Sequence, residues 1–222
     1  MPRSREDVKS EIEYRIAGDT RIDDGNVKVQ VADGKVVLGG IVHSFSAKDA
    51  VEQDAWAVKG VNYIENRLSV QYPQGYRRPT DEAISENLQR LFSVDPDLYQ
   101  ENINLFVREG EVSLEGTVSH FYMKLRAENL TRQVGGIQKV SNKLAVVPSR
   151  SVSDEALGSA IEDHLHHTFE LDANRVEVRV QNGSVVLAGN VKDRRAFDTV
   201  EDIARYTDGV KEVKNNLFIA EG

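Results

Sequence analysis

The hydrophobic positions of this chain come in a pattern that repeats. Alternating apolar residues run Val27, Val29, Val31, then a turn, then Val36, Leu38, Gly40, Val42. The second run reads G-x-V-x-L-x-G-x-V from Gly34, and the same string begins again at Gly110 and at Gly183. The separations are 76 and 73 residues, so the chain is an internal repeat of three units.

Period-two alternation with polar residues between predicts strands with one buried and one wet face. The first strands of the other units are Ile103, Leu105, Val107 and Val176, Val178, Val180. The pairs Asp33 and Gly34, Glu109 and Gly110, Asn182 and Gly183 predict tight hairpin turns, because both residues of such a turn take positive φ. Ahead of each hairpin the period changes to four: Val8, Ile12, Ile16, then Ile84, Leu88, Phe92, then Leu157, Ile161, Leu165. That spacing marks one face of a helix. Thr80 and Ser153, each followed by Asp and Glu, predict helix caps, and Gly18 with Asp19 predicts the first helix end. A second helix is expected over about residues 46–59, 122–135 and 195–208. Its core positions are Val51, Ala127, Val200, then Ala55, Thr131, Ala204, then Val58, Val134, Thr207. Gly60, Gly136 and Gly209 close it. A third strand runs Val61 to Val70, Ile137 to Val146 and Val210 to Ile219.

Each unit therefore reads αββαβ. A crossover helix makes the second and third strands parallel. The fold class is α+β: three tandem αββαβ domains, each with two helices packed on a three-stranded mixed sheet, over residues 1–72, 77–148 and 152–222. The linker from Tyr72 to Pro79 marks one boundary and Pro148 to Ser153 the other. Units of this size have marginal cores, and short linkers favour fixed or semi-fixed neighbours.

Composition narrows the function. The net charge of -8 divides as -2, 0 and -6 over residues 1–72, 73–150 and 151–222. An acidic chain without clustered Lys and Arg disfavours nucleic acid as a partner. The chain has no cysteine, which excludes disulfides and thiolate metal sites. No apolar run is long enough to span a bilayer. The N-terminus runs straight into a helix pattern without an apolar signal core. The chain as it stands is thus expected in the cytoplasm, and in the periplasm if it is a trimmed mature form. No nucleophile elbow, P-loop or HExxH is present, so no enzyme activity, catalytic residue or cofactor is expected.

Three features invite a functional reading. Gly40, Gly116 and Gly189 interrupt a buried apolar phase, which predicts that a helix crosses closely there; a backbone phosphate site would need a loop before a helix instead. Asn66, Asn142 and Asn215 lie among inward apolar residues. Their amides need partners, expected to be loop backbone groups, with a ligand-contacting trio as the alternative. Phe45, Phe121 and Arg194 share one position at the entry to the second helix. In the middle unit this stretch reads Phe121, Tyr122, Met123, Lys124, with Arg126 two residues on. Aromatics, a methionine and two cations there can seat in a lipid headgroup region, dock a partner protein, or staple the helix start with Phe. His164 and His167 lie one helical turn apart, but Leu165 claims the buried face and no third ligand is visible. No metal site is expected from them.

The succession ends each time on a closing motif: Gly60, Val61, Ile64, Asn66, Leu68; Gly136, Ile137, Val140, Asn142, Leu144; Gly209, Val210, Val213, Asn215, Leu217. Together with the turn glycines Gly34, Gly110 and Gly183, this resembles three tandem BON domains. The resemblance implies a bacterial, non-enzymatic module. Its members are osmotically inducible periplasmic proteins, outer-membrane lipoproteins that bind anionic phospholipid, secretin-associated modules and a cytoplasmic potassium-binding protein. The partner expected from this resemblance is anionic phospholipid or an envelope protein, within an osmotic or envelope stress response. A chaperone-like protein scaffold is the alternative, and potassium sensing a weaker one.

Overall fold

The computed structural model describes residues 4–22, 26–32, 34–168 and 172–220. Asp33, in the first predicted hairpin turn, lies outside the described residues, as do Met1 to Arg3 of the N-terminus.

The first repeat contains α1 (Arg5–Gly18), β1 (Asn26–Ala32), β2 (Lys35–Val42), α2 (Phe45–Trp56) and β3 (Tyr63–Val70). The second contains α3 (Asp81–Val94), β4 (Asn102–Arg108), β5 (Glu111–Val118), α4 (Phe121–Arg132), β6 (Lys139–Asn142) and β7 (Ala145–Val146). The third contains α5 (Asp154–His167), β8 (Val176–Gln181), β9 (Ser184–Val191), α6 (Arg194–Tyr206) and β10 (Glu212–Ile219), with a short 3₁₀ turn at Ala173–Arg175. The fold is three α+β modules, each with a mixed sheet. The second strand is central: β1 is antiparallel to β2 and β3 parallel to it, and β8, β9 and β10 repeat this arrangement. In the middle sheet the order is β4-β5-β6, and β7 also pairs with β5. The third strand expected there as one run is thus written in two pieces. Lys143, in the gap, still donates its amide to Leu114 O at 2.8 Å.

Close packing divides the chain into two compact units. One comprises Met1–Leu88, Val107–Val112 and Leu130–Ser141; the other Gln89–Phe106, Ser113–Asn129 and Asn142–Gly222. In the first unit, α1 packs on β1 and α2, and α2 on β2 and β3. In the second, α5 packs on β8 and α6, and α6 on β9 and β10. The inward phase is the one the alternation predicts. Val36, Leu38, Val42, Val185, Leu187 and Val191 are buried beneath Ile12, Val51, Leu157, Ile161 and Val200. Full burial of each such side chain is worth roughly 1.5–3 kcal/mol of transfer free energy.

The ends of the elements follow local chemistry. Ser4 and Asp7 form a reciprocal capping box at the start of α1, and Asp19 caps its end. Thr80 Oγ1 accepts from Ala83 N, and Ser153 Oγ from Ala156 N, both at 3.2 Å. Glu109 and Asn182 take φ of 52° and 53°, followed by Gly110 and Gly183 at 78° and 79°, as a two-residue turn of that type requires. The second helices end at Trp56, Arg132 and Tyr206, two or three residues short of the expected ends. Val58 remains buried beyond the end of α2.

Two expectations are corrected. At Gly40, Gly116 and Gly189 the nearest neighbour is not a helix but the adjoining strand. A Cβ at each would run into the backbone carbonyl of Asn26, Asn102 or Arg175, at or beside the entry to the neighbouring strand. The close approach is strand on strand, at φ of 111°, 119° and 115°. The asparagines also find other partners than loop backbone. Asn66 Nδ2 donates to Glu52 Oε2 on α2 at 2.8 Å. Asn142 Nδ2 donates to Lys124 O at 2.8 Å and Glu128 Oε2 at 3.2 Å on α4. Each side-chain oxygen accepts the amide two residues on, from Leu68, Leu144 and Leu217. In the third repeat Glu201 turns to Arg205 at 2.8 Å, and the buried Asn215 Nδ2 has no hydrogen-bond partner among the described residues. Strand three faces helix two, so helix carboxylates reach the amides before any loop does.

Candidate functional site

The stretch at the start of α4 is held by the loop that joins α3 to β4. That loop carries Asp95, Asp97 and Glu101, with Leu98 buried beneath it. Asp95 Oδ1 accepts from Asp97 N at 3.0 Å, which shapes the turn. Arg126 meets both aspartates. Its Nε lies 2.9 Å from each oxygen of Asp95 and 3.2 Å from Asp97, and its Nη2 lies 2.7 Å from Asp95. Asp95 is only 6% exposed. The hydrogen bond from Arg126 holds its carboxyl below the usual carboxylate range, and the same bond raises Arg126. Glu101 anchors the other end of the loop, accepting from Ser119 Oγ at 2.6 Å and Ser119 N at 3.1 Å.

Tyr122 lies between this loop and the third repeat. Its hydroxyl donates to Asp97 Oδ1 at 3.4 Å, and its ring stacks on Tyr206 at 5.2 Å between centroids. Burial pushes its phenol up, and the charge of Asp97 adds to this. His120 lies 3.5 Å from Asp208 and faces Tyr122 at 5.6 Å.

The residues singled out from the sequence thus take different places. Phe121 and Phe45 are buried at the first positions of α4 and α2. The Arg132 guanidinium lies 5.7 Å from the Phe45 ring and its Nη1 3.9 Å from Asp49. Met123 is half-buried, its sulfur 3.3 Å from Ser119 Oγ. Lys124 is half-buried and offers its carbonyl to Asn142. Arg194, in the Phe121 position of the third repeat, pairs with Asp198 at 2.6 Å and lies over Phe197. His167 Nδ1 lies 2.7 Å from Asp163 O, within its own helix. Among the described residues, no three His, Cys, Asp or Glu side chains gather where a metal ion could be held.

Sequence reasoning missed the acidic loop and two exposed apolar residues at it, Val94 at the end of α3 at 73% and Tyr99 within the loop at 59%. One signal was available. Arg126 occupies a register that holds Ala50 in the first repeat and Thr199 in the third, so a lone guanidinium there needs an acid of its own.

The family model for the BON domain matches residues 4–72, 80–148 and 153–221, which is nearly the whole chain. The chain belongs to the BON domain family. Among curated BON relatives, the osmotically-inducible protein Y of Escherichia coli is 29% identical over 143 residues, covering 62% of this chain and 71% of that protein. The outer membrane lipoprotein DolP of Haemophilus influenzae is 30% identical, covering 60% and 71%. A 21 kDa hemolysin of Actinobacillus pleuropneumoniae is 28% identical over the same shares. Among the described residues of this BON protein, no helix is long and apolar enough to cross a membrane.

Proposed function

We propose that this chain is a non-enzymatic binding protein of the bacterial envelope or osmotic-stress response, and that its middle repeat engages anionic phospholipid at a membrane surface. The exposed pair Val94 and Tyr99 carries the reading. Both flank or lie within a loop whose shape is held by Asp95, Asp97, Glu101 and Arg126, so their exposure is built in rather than the result of fraying. A valine and a tyrosine presented this way suit the headgroup boundary, where one side is apolar and the other wet. The corresponding positions are Gly18 and Asp23 in the first repeat and His167 and Asp172 in the third, so the feature belongs to the middle repeat. Residues 73–150 are also electrically neutral, and Lys124 on α4 makes no ion pair among the described residues. Resemblance to an osmotically inducible protein and to an outer membrane lipoprotein supports the compartment and the response.

Liposome co-flotation tests the reading. The chain is expected to float with phosphatidylglycerol vesicles at low salt, to be released at high salt, and to ignore zwitterionic vesicles. Tyr99→Asp and Lys124→Glu are expected to abolish flotation while the fold is kept. Phe121→Ala is a folding control, because its ring is buried. Absence of flotation with every vesicle, or flotation indifferent to Tyr99→Asp, would sink the proposal.

A second reading is a protein-interaction module working through the outward sheet faces. It rests on Phe106 and Phe218, 57% and 48% exposed on outward-facing strand positions. Loss of a protein partner on Phe218→Ser, with no response to lipid, would favour it.

A further inference from the structure

The corner where the first helix of a repeat meets its hairpin turn is closed in the middle repeat and open in the third. In the middle repeat, Asp81 accepts from Glu109 N at 2.6 Å and Gly110 N at 3.1 Å. Arg78 then pairs with Asp81 at 3.5 Å, and its guanidinium lies directly over Gly110, beside the Gly136 carbonyl that a Cβ there would meet at 2.7 Å. The third repeat keeps the acid and lacks the arginine. Asp154 accepts from Asn182 N at 2.6 Å and Gly183 N at 2.9 Å, while Ser151 stands in the register of Arg78. A cleft of about 510 Å³ opens at this corner. That volume is within the range that holds small-molecule ligands.

The lining defines the ligand. Val147 and Val152 give an apolar wall, and Arg150 and Lys211 bring two cations against the single carboxylate of Asp154. Asp154 is already engaged by two turn amides. Lys211 lays its methylenes over Gly183, and its ammonium has no carboxylate partner among the described residues. Arg150 reaches Asp208 only at 3.7 Å, with its side chain 79% exposed, so it is available to a ligand. Arg150 is loosely tied to Asp208 and Asp154 is occupied by the turn amides. That leaves the Lys211 ammonium as the cation without a carboxylate of its own among the described residues, next to an apolar wall. A single negative charge can be met by Lys211 and Arg150, whereas each further negative charge adds repulsion from Asp154.

We propose that this cleft binds a small organic carboxylate with a short apolar tail, its head at Lys211 and Arg150 and its tail against Val147 and Val152. The site is separate from the loop carrying Tyr99, and the proposal does not depend on lipid binding there. The test is a titration of the ¹⁵N-labelled full chain with hexanoate, with hexylammonium and hexanol as matched cationic and neutral probes. Hexanoate is expected to give saturable amide shifts at Gly183, Gly209 and Lys211, with a roughly millimolar Kd, the range for a ligand of about eight heavy atoms. Lys211→Glu is expected to weaken binding by about tenfold or more, because it reverses a charge at the head. Ser151→Arg restores the guanidinium that closes the middle-repeat corner, and it is expected to abolish the shifts without loss of fold. Equal response to the three probes, no response to hexanoate, or unchanged binding in Ser151→Arg would each overturn the proposal.

Discussion

Gly39 and Gly40 are neighbours in β2 with opposite tolerances. A Cβ on Gly39 would meet nothing within 4 Å. A Cβ on Gly40 would overlap the carbonyl of Asn26, and the backbone there has φ of 111°. Gly39→Ala is therefore expected to be neutral or to stabilise by about 0.4–1 kcal/mol, through the lower entropy of the unfolded chain. Gly40→Ala is expected to destabilise by about 3 kcal/mol or more, since both strain and overlap must be relieved. Urea unfolding of the two variants decides it, and equal midpoints would refute the assignment. The requirement for glycine was legible in the sequence; its cause was not. Period-two patterning shows that a side chain is missing from the inward phase. Which backbone comes close depends on the pairing of β1 with β2, and Asn26 lies fourteen residues before Gly40. The asparagines carry the same lesson. Their inward phase was readable, but Glu52 and Glu128 become their partners only once helix two lies over strand three.

The element that the acidic loop controls is α4. Arg126 reaches back across 31 residues to Asp95, and this contact ties α4 to the loop ahead of β4. Arg126→Ala is expected to cost about 1.5–3 kcal/mol, because it leaves a nearly buried carboxylate without its charged donor. The pH dependence has a definite sign. Asp95 has a folded pKa held below its unfolded value, so its contribution is fully present above about pH 4 and is lost as pH falls through the lowered folded value. Urea unfolding from pH 7 down to pH 2 is expected to show a shallower acid decline for Asp95→Asn than for the parent chain. An identical slope would remove Asp95 from the account. The helices themselves were well marked by spacing and caps, because both signals are local. Arg126 and Asp95 were not paired in advance because the helix pattern treats every exposed charge alike.

At the scale of the whole chain, repeats meet through aromatic side chains. In one compact unit, Tyr72 from the end of the first repeat stacks on Tyr76 at 4.3 Å, and its hydroxyl accepts from Gly136 N of the second repeat at 2.8 Å. In the other, Tyr122 of the second repeat stacks on Tyr206 of the third. A double-mutant cycle on Tyr122→Ala and Tyr206→Ala is expected to give a coupling of about 0.5–1.5 kcal/mol, the scale of an aromatic pair beyond its buried area. Additive effects would mean that the stack holds nothing together. Tyr122 thus has a partner within the chain, which is why the exposed Val94 and Tyr99 carry the membrane proposal more strongly than the helix start itself.

By itself the sequence determined the number of repeats, the order of helices and strands apart from the break between β6 and β7, the hairpin turns at Glu109 and Asn182, and the inward phase of the strands. All of these are written in short-range periodicity and in the conformational limits of single residues. Tertiary structure decided which charges meet, which aromatics are covered, and where space is left. Those outcomes depend on residues far apart in the chain and on differences between the repeats. Arg78 and Ser151 occupy one register, yet one closes a corner and the other leaves it open.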